Sequence, residues 1–171
     1  MGIIKSYKEL RATVGIIGIL LPFALMLWIW IAGEQLPKSI SCTYFTSARN
    51  LLVGSMSAVA LFMFFYSGYN KFENWLGHFA GLFSLGVAFL PCDGATRLFH
   101  LISAFLLFSI FATFCLQFRK GNKHKLLYLI SFLTIIFSMA MIPITKDIFF
   151  WETIMLIAFG VSWLVKSKTI I

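Results

Sequence analysis

Six apolar stretches of about 17 to 22 residues, each closed by charged residues or a proline, take up almost the whole chain. They fall near residues 12–33, 49–69, 75–91, 98–118, 126–143 and 149–165. A helix needs roughly 20 mostly apolar residues to cross the hydrocarbon of a bilayer. The expectation is an all-α integral membrane bundle of six transmembrane helices, one domain over residues 1–171. Only 12% of the residues are charged, against about a quarter in soluble domains. The first apolar run follows Lys5, Lys8 and Arg11 but ends in Trp28, Ile29 and Trp30. It is longer than the roughly 7–15 residues of a signal-peptide core and lacks small terminal residues, so it reads as a retained span.

Orientation follows from the basic residues, which gather on cytoplasmic loops. With the N-terminus inside, Lys5, Lys8, Arg11, Lys71, Arg119, Lys120, Lys123, Lys125, Lys166 and Lys168 lie on the inner side. Lys38, Arg49, Arg97 and Lys146 are left on the outer side, which gives an N-in/C-in topology. The net charge of +8 is then a topology signal, and no nucleic acid partner is expected from the RKGNKHK loop. A multi-pass protein of an inner (plasma) membrane is the expected setting. Trp28, Trp30, Tyr44 and Trp151 would form an outer aromatic belt, and Tyr7, Tyr66, Tyr69, Trp75, Tyr128 and Trp163 an inner one.

Short connections between spans favour an up-down bundle. Helices pack closely in lipid through small residues. Gly77 and Gly81 form a G-x-x-x-G that predicts a central position for the third span. Gly54 with Ala58, Gly160 with Ser162, and Gly15 with Gly18 give smaller faces to other spans, and Pro22 predicts a kink in the first. The same glycines would equally serve a homodimer.

The outer boundary collects the candidate chemistry. His100 and Glu152 fall inside spans, each nine residues after a proline that ends an outward-running segment, Pro91 and Pro143. Ionisable groups at such depth face a partner or a wet cavity. His100 and Glu152 would form an acid–base pair. Arg49 and Arg97, with Tyr44, Thr46 and Asn50, would bind an anionic head group. Arg49 stands at the start of its helix, where the macrodipole disfavours a cation; Glu152, Asp93 or an anionic ligand would compensate. Asp93 or Thr96 would cap the following helix. Salt bridges and snorkelling between helix ends offer a purely structural account of the same ring. A Cys42–Cys92 disulfide is an available pairing that would staple the two outer loops. Metal-ligand spacing is absent from the sequence, and no cofactor is expected.

Several segments, SISCTYFTSARN, FFYSGYNKFEN, AGLFSLGVAFLP, FHLISAF and FWETIMLIAFGVSWLVK, together resemble a family of small six-span bacterial inner-membrane proteins of unknown function. The resemblance covers residues 39–166. A more distant likeness joins the chain to eukaryotic DRAM and Sfk-type six-span proteins connected with lipid handling. In the bacterial pattern the position of Asn50 often carries an acid, and Cys42 and Cys92 are not typical. The resemblance implies the six-span fold and assigns no catalytic residue.

The functional expectation is an outward-facing polar pocket that recognises a lipid or anionic amphiphile, with membrane lipids as partners. If it also modifies its ligand, it is a lipid-modifying hydrolase or transferase. The alternative is a non-catalytic accessory or assembly subunit that binds a membrane-protein partner through its small-residue faces.

Overall fold

The computed structural model describes residues 2–120 and 122–168, with side chains from Tyr7 onward. Six helices follow one another: α1 (Gly2–Ile31), α2 (Arg49–Phe64), α3 (Lys71–Phe89), α4 (Arg97–Arg119), α5 (Lys125–Thr145) and α6 (Ile148–Lys168). Two short 3₁₀ turns, Ser41–Phe45 and Gly94–Thr96, lie in the connections. Among the described residues there is no strand. Helices α1, α4, α5 and α6 are long and apolar enough to cross a membrane. Helix α2 is apolar but has only 16 residues, and α3 carries Lys71, Glu73, Asn74 and His78 in its N-terminal half.

Boundaries move where turn chemistry outweighs hydropathy. Helix α2 ends at Phe64, short of the expected residue 69, because the next residues build the start of α3. The Asn70 side chain accepts the Glu73 N–H at 2.9 Å, an N-cap that satisfies one unpaired donor of the first turn. The Asn74 side chain accepts the Gly68 N–H at 2.7 Å. Helix α1 runs through Pro22, and α5 continues past Pro143 to Thr145, where the following Lys146 adopts left-handed backbone.

The helices form a ring in chain order, each packed against its sequence neighbour, and α1 closes the ring against α6. The α1–α2 seam is the thinnest in the ring, and α4 reaches across it to touch α6. The most embedded helix is therefore α6, not α3 as the G-x-x-x-G predicts. Gly77 and Gly81 do mediate a close approach, but to α2, where Met63 and Ala60 carbonyls lie against them. Gly54 meets nothing within 4 Å.

Closure of the ring rests on glycine. A Cβ on Gly160 would stand 2.5 Å from the Gly15 carbonyl oxygen, and one on Gly15 would stand 2.8 Å from that of Gly160. Below this contact, Phe111 of α4 stacks on Phe159 of α6 at 3.7 Å between ring centres. Trp163 lies among Phe62, Tyr66, Phe114, Phe118 and Phe159. Trp163 and Tyr128 are 0% exposed and Tyr66 is 2% exposed, so these three belong to the core and not to an aromatic belt. Trp28, Trp30 and Trp75 remain outward.

Gly160→Val should lower the thermal unfolding temperature in detergent, because overpacking costs about 1–3 kcal/mol or more. Gly54→Ala should leave it unchanged or raise it, since only helix propensity changes there.

Candidate functional site

One end of the bundle is built around residues 32–48, which connect α1 to α2. Within it the Cys42, Thr43 and Thr46 N–H groups donate to the Ser39, Ile40 and Thr43 carbonyls, and neighbouring elements supply further partners. The Lys38 carbonyl accepts the Phe149 N–H at 3.0 Å, one of the unpaired donors in the first turn of α6. One turn deeper, the buried Glu152 carboxylate accepts the Ile40 N–H at 2.7 Å. A disulfide between Cys42 and Cys92, with Cα atoms 5.7 Å apart, joins the connection to the α3–α4 turn. The long link thus folds back over the helix ends and is tied to α6 and to the α3–α4 turn.

The candidate residues separate into two groups. His100 is buried, and its Nδ1 donates to the Leu90 carbonyl at the end of α3, 2.7 Å away. His100 and Glu152 are not hydrogen-bonded to one another; each secures a main-chain atom of a neighbouring segment. Beside Glu152 lies a space of about 30 Å³, lined by Ile40, Ser41, Leu52 and Met56 among others, enough for roughly one water molecule. Thr46 bonds within its own turn, its hydroxyl donating to the Thr43 carbonyl at 2.8 Å.

Arg49 and Asn50 in the first turn of α2, and Arg97 in the first turn of α4, are exposed and do not line the space beside Glu152; these two helix starts are the lip of this end. Arg49 lies over the Tyr44 ring, 4.1 Å from its centre, and donates to the Tyr44 hydroxyl. The negative charge near the start of α2 comes from Glu34, whose carboxylate accepts the Ser47 N–H at 3.1 Å. That supplies the macrodipole partner expected from Glu152 or Asp93. Asp93 accepts the Gly94 N–H at 2.8 Å and so caps the short turn before α4. The Thr96 hydroxyl donates to the Pro91 carbonyl at 3.2 Å.

The opposite end holds a polar cluster that sequence reasoning missed. Arg11 of α1 is 3% exposed, with its guanidinium 4.4 Å from the Tyr7 ring centre, 5.4 Å from Tyr66 and 5.9 Å from Tyr69. Stacking on aromatic faces offsets part of the cost of burying a cation. Lys166 of α6 is 4% exposed and lies 4.2 Å from the Tyr69 ring centre, within the field of the buried Glu73 carboxylate. Glu73 accepts the Tyr69 N–H at 3.0 Å. Basic residues at helix ends are ordinarily read as topology markers, which hides these two. The available signal was Tyr7 four residues before Arg11, one helical turn apart.

Among the described residues, no three His, Cys, Asp or Glu side chains gather as a metal set. No family model matches the chain, and no curated protein or solved structure matches it.

Glu152→Ala should strand the Ile40 N–H at a cost of about 1–3 kcal/mol, read as a lower unfolding temperature and faster hydrogen exchange at that amide. Glu152→Gln keeps an acceptor oxygen and should retain slow exchange.

Proposed function

We propose that this chain is a multi-pass protein of an inner (plasma) membrane that recognises an anionic lipid or related amphiphile at its disulfide end, without altering it chemically. In this reading all six helices span, because α2 and α3 are members of the same ring as the four long apolar helices. Both described chain ends lie on the basic, cytoplasmic side, following the distribution of Lys and Arg. A Cys42–Cys92 bridge at the other end agrees with an oxidising outer compartment. The resemblance to small six-span bacterial proteins is in keeping with this placement.

One observation carries the choice of binding over catalysis. The two groups suited to acid–base chemistry, His100 and Glu152, are bonded to the main chain, whereas the cations Arg49 and Arg97 stand exposed at the lip. Tyr44 holds Arg49 in place, which reduces the freedom lost when an anion binds. Guanidinium groups suit the paired oxygens of a phosphate or carboxylate.

The joint Arg49→Ala, Arg97→Ala variant should retain phosphatidylglycerol about tenfold less well in native mass spectrometry, in line with the loss of charged hydrogen bonds. Unchanged retention would count against the lip. Turnover of a lipid extract that is lost in Glu152→Gln would restore the enzyme reading, and one stoichiometric membrane-protein partner would favour the accessory subunit.

A further inference from the structure

A groove of about 700 Å³ runs between α5 and α6, away from the disulfide end. That volume lies within the roughly 300–1,000 Å³ of small-molecule sites. Its walls are α5 from Leu126 to Thr134 and α6 from Ile154 to Val161, and they are apolar except for Ser131 and Thr134. Ser131 and Ala158 are small where bulkier side chains would fill the seam. Its mouth is formed by the exposed Lys123 and His124, in a connection flanked by exposed Arg119, Lys120 and Lys125.

The length of the groove identifies its occupant. Helix α5 begins at Lys125, and its wall from Leu126 to Thr134 advances eight residues, or roughly 12 Å at the rise of an α-helix, with Lys123 and His124 just outside it. Half of the hydrocarbon thickness of a bilayer is about 15 Å. Beyond Thr134 the seam is closed, because Phe137 of α5 meets Trp151 of α6 edge to face at 5.8 Å. A single acyl chain of one leaflet needs only this half.

We propose that the groove holds one acyl chain of an anionic phospholipid from the leaflet on the basic side, with its phosphate against Lys123 and His124. The site lies on the other leaflet from the lip, and it rests on the membrane placement proposed above but not on lipid binding by Arg49 and Arg97. The mouth supplies positive charge where the phosphate sits, and basic sites of this kind favour anionic over zwitterionic head groups.

The test uses the full chain carrying Arg49→Ala and Arg97→Ala, which removes the lip from the lipid count. Flotation with phosphatidylglycerol vesicles after an alkaline carbonate wash comes first. Release of the protein into the wash overturns the membrane placement itself. With flotation retained, native mass spectrometry compares dioleoylphosphatidylglycerol with dioleoylphosphatidylcholine. The expected result is one phosphatidylglycerol held in preference, weakened roughly fivefold by Lys123→Gln and lost in Thr134→Trp. Equal retention of the two lipids, indifference to both substitutions, or a protein partner seated in place of the lipid overturns the groove proposal alone. Should Thr134→Trp fail to fold by circular dichroism, Lys123→Gln decides the matter, because that side chain is exposed.

Discussion

The contact between Gly15 and Gly160 is the constraint on which the bundle depends. Every other strong helix pair in the ring joins sequence neighbours held together by short connections. Helices α1 and α6 have no such link, and in lipid there is little hydrophobic gain from bringing helices together. What remains is close packing, and here each backbone fills the space that the other glycine leaves. The position of α6 then follows, with Glu152 at one end and Lys166 at the other. Placing α1 against it brings Arg11 over the rings of Tyr66 and Tyr69.

Both ends of the bundle solve one problem in the same way. Main-chain groups in connections lack the partners that helical groups have, and leaving them buried and unpaired is expensive. At the disulfide end, Glu152 accepts from Ile40 and His100 donates to Leu90. At the other end, Glu73 accepts from Tyr69. Within the ring, Ser84 of α3 donates to the Met56 carbonyl of α2 at 2.9 Å. These four buried side chains fasten one segment to another.

The order and type of the helices were legible because apolar runs of this length admit few alternatives. The placing of His100 and Glu152 about one turn into α4 and α6 was legible too, from their matched distance behind Pro91 and Pro143. Their partners were not, because a main-chain N–H or C=O carries no signature in the side-chain sequence. The G-x-x-x-G of α3 announced a close approach but not its partner, since small residues permit contact with any helix that presents a matching surface. Arg11 and Lys166 were hidden for a different reason. A cation at a helix end ordinarily reaches water, and only the tertiary arrangement of Tyr7, Tyr66 and Tyr69 turns these two inward. The groove between α5 and α6 was invisible because it is defined by missing bulk at Ser131 and Ala158 across two helices.

Ring closure between the first and last helices has a consequence for how the protein is made. A ribosome adding about 5–20 residues per second completes α1 on the order of ten seconds before Gly160 appears. Until then Gly15 and Gly18 have no α6 to pack on, and Arg11 lacks the completed cluster at its end of the bundle. The nascent chain must therefore carry a first helix without its main packing partner through the synthesis of four others.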